Sequence, residues 1–330
     1  MLVTVVMTIA GMVAAPGPAV ASAEPDCRDI DIPVTVAGAA HTVYGRLCNP
    51  AGGPSAALQV LVHGATYDHF YWDLPGFDGR YSYVRRASEA GYSTLAIDRI
   101  GSGRSSRPPA TEVTALSNAE VLHQVVRAMR RGEVSDPWKY VVTVGHSFGT
   151  VVTDVEAATY RDVDAVIATG WLSRPGLLTS MDLITRQQAG TDGALPAGYF
   201  TMRPNGREMF MAAGHYEPQV LTAVEALGGT ITLGETATPM TAPLVQAGNP
   251  IAVPTLLVLG EYDPFFCTPP EHQPCTAAGV LTSERPFFTD AAQPAVHVQP
   301  GAGHSIAHET NAQDGFDAML AWMRNRAFVR

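Results

Sequence analysis

The sequence predicts an α/β protein built on one large, mostly parallel sheet with helices on both faces. Short apolar or β-branched runs alternate with longer stretches of helical periodicity from residue 32 onward. Several of those runs, Leu58 to Val62 and Thr255 to Leu259 among them, are almost continuously apolar, as strands covered on both faces must be. A third observation is a Gly-His-Ser-Phe-Gly turn at 145–149, set between such a run and a helical stretch.

Composition narrows the function classes. The 330 residues are 46% hydrophobic and 16% charged, which supplies a large core and leaves no polar tract suited to disorder. Against 31 acidic side chains stand 21 basic ones, a formal net charge of −10, and Lys139 is the single lysine. No cationic cluster exists to hold a polyanion, so nucleic acid is excluded as a partner.

Taken in order, residues 1–23 carry no charge and form an apolar leader. Met1 to Ala15 is apolar, Pro16-Gly17-Pro18 breaks the run, and Ala21-Ser22-Ala23 precedes Glu24. This predicts a secretory signal peptide cleaved near Ala23 and a secreted protein, although the usual basic segment is missing and the first cation is Arg28. A run of about 15 residues is short for a membrane span, and no later segment reaches about 18, so no span is expected after cleavage. Cys27, Cys48, Cys267 and Cys275 suit an oxidising compartment. Four cysteines allow three pairings, of which Cys27–Cys48 and Cys267–Cys275 close the shortest loops. No C-x-x-C and no Cys/His set at zinc spacing occurs, so neither a metal nor another cofactor is expected.

Strands are predicted at 32–36, 42–47, 58–62, 92–97, 140–144, 164–169, 255–259 and 295–299. Helices are predicted near 80–90, 111–131, 148–160, 276–285 and 312–327, the second stopped by Gly132. Residues 171–254 break the alternation. Some 80 residues without structure inside a compact domain would be anomalous, so this interval predicts a helical cap inserted after the sixth strand. The core domain is then 24–170 with 255–330, and the cap is 171–254.

The turn at 145–149 has the form G-x-S-x-G, and the strand before it and helix after it make a nucleophile elbow. The bend is so sharp that the residues flanking it on both sides, Gly145 and Gly149, must be small. It raises the Ser147 hydroxyl above the sheet edge, with a helix N-terminus beneath it.

With His63-Gly64, the Asp98 to Ser105 segment and two downstream loops, this turn makes the sequence resemble the α/β-hydrolase superfamily of serine hydrolases. The resemblance covers roughly residues 30–328 apart from the cap. It implies an α/β-hydrolase fold with about eight strands and a triad in the order Ser, acid, His. Ser147 is the implied nucleophile. Asp263, in Gly260-Glu261-Tyr262-Asp263-Pro264 after a strand, matches the acid, with Glu261 as competitor. His304, in Pro300-Gly301-Ala302-Gly303-His304-Ser305, matches the base. His146, His297 and His308 are weaker candidates, His63 reads as a structural hydrogen-bonder, and His41, His69, His123, His215 and His272 sit in no motif. The implied oxyanion donors are the backbone N–H groups of Ala65, with Thr66 as alternative, and Phe148. The Asp98 to Gly103 segment lacks phosphate-loop spacing and is implied to be structural. Tyr67, Phe70, Tyr71 and Trp72 are expected either to line the pocket or to pack beneath it.

The function expected is therefore a secreted serine hydrolase acting on a carboxylic ester or lactone of a small, rather hydrophobic substrate. Relatives with an aspartate nucleophile drop out on Ser147. Thioesterase, amidase, hydroxynitrile lyase and cofactor-free haloperoxidase chemistry share the same triad, and a non-catalytic binding module of this fold is the alternative from another class.

Overall fold

The computed structural model describes residues 24–189, 195–270, 272 and 274–326; the leader predicted at 1–23 lies outside them. Eight strands form one sheet in the order β1-β2-β4-β3-β5-β6-β10-β11. These are β1 (Asp26–Val36), β2 (Ala39–Asn49), β3 (Ala57–Val62), β4 (Ser93–Ile97), β5 (Tyr140–His146), β6 (Ala165–Thr169), β10 (Thr255–Gly260) and β11 (Ala295–Gln299). From β4 to β11 every pairing is parallel; β1 and β2 form an antiparallel hairpin, and β2 joins β4 antiparallel. Strands β3, β4, β6 and β10 are buried along their whole length, which accounts for their largely apolar sequence.

The hairpin is longer than its sequence suggests. β1 starts at Asp26, because 26–31 carries polar, partly exposed side chains on an edge strand and so lacks a buried periodicity. Cys27 lies opposite Cys48 in the register, and a disulfide joins them; a second joins Cys267 to Cys275. Both are the pairings that close the shortest loops.

Helices fill the intervals, and several are started by a side-chain cap. Helix α1 (Tyr83–Glu89) is capped by Ser82, whose hydroxyl accepts from Arg85 N–H. Helix α2 (Ala115–Arg131) opens with a reciprocal box between Thr114 and Ser117 and closes on Gly132 at φ 69°. Helix α3 (Phe148–Thr159) follows β5 directly and packs on α2. Thr276 caps α8 (Ala277–Glu284), and α9 (Ala312–Arg324) ends the described chain. Among the described residues no helix is long and apolar enough to cross a membrane.

The described residues of 171–254 are structured, but not wholly helical. They carry α4 (Leu177–Thr185), α5 (Pro218–Ala226), α6 (Leu233–Thr236) and α7 (Thr241–Gly248). They also form a small antiparallel sheet of β7 (Gln187–Ala189), β8 (Tyr199–Met202) and β9 (Ile231–Thr232). Strands of two to four residues are too short to show a period of two, so the sequence offers no sign of them.

Three histidines, His63, His146 and His308, are fully buried. Burial is the main cause that drives His63 and His308 down to about 3 and His146 well below the ordinary histidine range. Beyond burial, Arg99 acts on His63, His304 on His146 and Arg207 on His308 in the same direction. Unfolded, each would titrate near ~6.5. Below that pH the unfolded chain takes up protons the folded chain refuses. The stability they permit is complete above ~6.5 and is lost as pH falls toward about 3. Glu309 and Asp68, raised by burial to about 7 and about 6, act in the opposite sense, so the test is a difference. Urea unfolding of His308→Phe against wild type at pH 7 and 5 should show proton uptake on unfolding reduced by about one. Equal pH slopes would contradict the assignment.

Candidate active site

The elbow is made by sterics at its two glycines. A Cβ on Gly145 would stand 2.6 Å from Thr150 Cα, and one on Gly149 would stand 2.2 Å from the Val62 carbonyl oxygen. Between them Ser147 holds φ 53° and ψ −121°, a left-handed conformation that a side chain rarely adopts. Its N–H donates to Thr169 O at 2.8 Å, and its carbonyl accepts from Thr150 and Val151 in the first turn of α3.

His304 reaches the same cavity from the loop after β11. Its Nδ1 lies 2.8 Å from Asp263 Oδ2, and both side chains are buried. Since a carboxylate only accepts, Nδ1 carries the proton and Nε2 keeps its lone pair. Asp263 Oδ1 accepts from Phe265 N–H at 2.9 Å, and the Phe265 ring lies 4.6 Å from the imidazole. Glu261 sits elsewhere: its carboxylate accepts from Gly301 N–H at 2.9 Å and so steadies the histidine loop. The Cys267–Cys275 disulfide follows Asp263 closely, and Cys267 N–H donates to the Asp263 carbonyl at 2.8 Å.

A cavity of about 480 Å³ brings Ser147, His304, Ala65 and Phe148 together. The Thr66 N–H is spent on Thr230 O at 3.3 Å. Among the described residues the N–H groups of Ala65 and Phe148 meet no protein acceptor. Of the two candidates in the loop after β3, Ala65 is therefore the one with a donor to spare.

The other histidines take different places. His63 Nε2 accepts from Arg99 N–H at 3.0 Å and its Nδ1 donates to Gly64 O at 2.8 Å, which fixes a neutral structural imidazole. His146 stacks on Tyr71 at 4.0 Å, with Nδ1 3.1 Å from Thr169 Oγ1. The aromatic cluster packs beneath the site: Tyr67 reaches Ser305 Oγ at 2.9 Å, and Trp72 is fully buried. Asp98 accepts from the backbone and ring of His69 and from Arg104 N–H, which makes its loop a structural knot.

Sequence reasoning missed the groups that hold the loop after β3. Arg99, buried at the end of β4, donates to His63 O at 3.0 Å and to Gly64 O at 3.4 Å. Its charge meets Glu235 of α6, also buried, and its guanidinium lies 5.0 Å from the centre of the Phe148 ring. Arg207, from the 171–254 segment, donates to Thr66 O. Only the residue types were visible in the sequence; the partners are 136 and 141 positions away.

The model of a family described as "Alpha/beta hydrolase family" matches residues 59–318. Solved structures with the same fold include a thermostable carboxyl esterase from Bacillus coagulans, at TM-score 0.61 and 16% identity, covering 91% of this chain and 99% of that one. A peroxisomal α/β-hydrolase from Saccharomyces cerevisiae matches at TM-score 0.58 and 13% identity, covering 92% and 90%. An N-acyl homoserine lactonase matches at TM-score 0.53 and 18% identity, covering 92% and 99%. No curated protein matches the chain. Identities this low speak for fold alone, but the family model spans most of the sequence. The chain therefore belongs to the α/β hydrolase family.

Proposed function

We propose that the protein is a secreted serine hydrolase that cleaves a carboxylic ester or lactone of a small, rather hydrophobic substrate. The observation that carries the reading is the convergence on one cavity of a strained Ser147, the His304–Asp263 pair and two unspent amides. His304 Nε2 takes the Ser147 proton as Oγ attacks the carbonyl carbon. Asp263 holds the tautomer and stabilises the imidazolium that forms. The N–H groups of Ala65 and Phe148 receive the oxyanion. Collapse expels the alcohol, protonated by His304, and leaves an acyl-enzyme that water hydrolyses by the same route.

The cavity supports the substrate class. Trp171, Leu183, Ile184, Ile231, Met240 and Phe266 give it an apolar lining, and about 480 Å³ suits a small molecule. All but Phe266 come from 171–254, which supports reading that segment as a cap over a core of 24–170 and 255–330. Esterase and lactonase structures of the same fold agree with attack on an acyl carbon. The apolar leader and the two disulfides support export.

A fluorophosphonate probe should label Ser147, and Ser147→Ala should abolish the label and lower kcat by on the order of 10⁶ with the fold intact. Undiminished turnover in that variant would remove the serine mechanism, and an unlabelled wild type would favour a binding module. On p-nitrophenyl esters of graded acyl length, kcat/KM should peak at short to medium chains and fall for long ones, with a lactone panel run beside them. The exported protein should begin near Glu24 and show no thiol that alkylates without reductant. Replacing Cys267 and Cys275 by Ser should lower Tm and kcat while KM changes little. Mass spectrometry that finds an intact leader or free thiols would refute the export reading.

A further inference from the structure

A second cluster lies at the far end of the nucleophile helix. Glu156 is nine residues into α3 from Ser147, roughly 13 Å along the axis. His123 of α2 and Asp162, just beyond α3, meet it there. One nitrogen or oxygen from each of the three lies within 4.8 Å of the others.

This cluster is poor in protein hydrogen-bond donors. Glu156 is fully buried, and its carboxylate faces that of Asp162 with no N–H or hydroxyl donor between them among the described residues. Neither side-chain oxygen of Asp162 meets such a donor. His123 Nδ1 comes to 2.7 Å from Asp162 Oδ2 at angles that make no hydrogen bond. Arg130, the nearby cation, spends its donors on Asp164 and on the carbonyls of Asp162 and Lys139 and gives neither carboxylate a hydrogen bond. The contrast is the Asp68, His69 and Asp98 cluster, where donors fill both oxygens of Asp98. A fully buried carboxylate packed against a second, partly buried one calls for a shared proton or a cation.

We propose that His123, Glu156 and Asp162 bind one zinc ion, which ties α2 to the end of α3. A dication balances the two carboxylates and takes one donor atom from each of the three side chains. The imidazole nitrogen selects a borderline metal over calcium or magnesium, which prefer oxygen throughout. Tyr160 stacks on the His123 ring at 4.1 Å and 10°, which holds the ligand's plane. The side chains of His123 and Asp162 are 19% and 23% exposed, so an ion and its completing waters can enter from solvent. Since His123 and Asp162 lie on different elements 39 positions apart, no zinc spacing marks the site in the sequence.

Untagged protein freed of metal with a chelator should bind one zinc per chain by calorimetry, and zinc should raise its Tm. Cobalt(II) in its place should give the visible absorption of a site with a nitrogen ligand. His123→Ala and Asp162→Asn, both at partly exposed positions, should keep the far-UV spectrum and weaken zinc binding by more than about tenfold. Both should also lose the zinc-dependent rise in Tm. The proposal falls if wild type binds no zinc saturably, which would leave a proton shared between Glu156 and Asp162. It falls equally if both variants bind as wild type does, or if calcium raises Tm as far as zinc.

Discussion

The arrangement rests on one close approach, that of Gly149 to the end of β3. A Cβ there would press to 2.2 Å on the Val62 carbonyl and 2.6 Å on that of His63. Without one, the first turn of α3 lies against the carboxyl end of a neighbouring strand. The contact is reciprocal, since a Cβ on Gly64 would come within 3.1 Å of Ser147 Cβ. The loop after β3 and the N-terminus of α3 therefore share one small space, and the Ala65 and Phe148 amides reach the same cavity. A side chain at Gly149 would force the two apart, whereas one at Gly64 would press on Ser147 and His146.

The loop so placed is held by its carbonyls. Arg99 takes those of His63 and Gly64 from the core, while Arg207 takes that of Thr66 from the opposite segment. A peptide unit is planar, so a carbonyl fixed on one side directs its N–H to the other. Holding Gly64 O thus orients the Ala65 N–H. Burying Arg99 is costly and is offset by Glu235, whose other oxygen accepts from Thr232 N–H at the start of α6. The seating of residues 230–236 and the shape of the loop after β3 are in this way mechanically joined. Thr230 strengthens the link, accepting from Thr66 N–H and donating to Gly101 O.

Much of this was legible beforehand, for local reasons. Strands buried on both faces are largely apolar, so β3, β4, β6 and β10 declared themselves, as did the helix α2, stopped by Gly132. The elbow was legible because sterics at a sharp turn restrict residue type at fixed spacing. Asp263 and His304 could be assigned by resemblance because their loops follow recognisable strands, and the structure brings them within 2.8 Å. The edge extension of β1 and the strands β7 to β9 were not legible, being polar in the first case and too short in the second.

By itself, then, the sequence determined the alternation of elements outside 171–254, the elbow and the residue types at the candidate site, because backbone sterics and burial periodicity act over a few neighbouring positions. Only the tertiary structure decided which of Ala65 and Thr66 keeps a free amide, and which of Glu261 and Asp263 faces the imidazole. It also decided that Arg99 finds Glu235, and that His123, Glu156 and Asp162 share one corner. Those outcomes depend on contacts between segments far apart in the chain, and a buried charge leaves no periodic trace of the partner that will neutralise it.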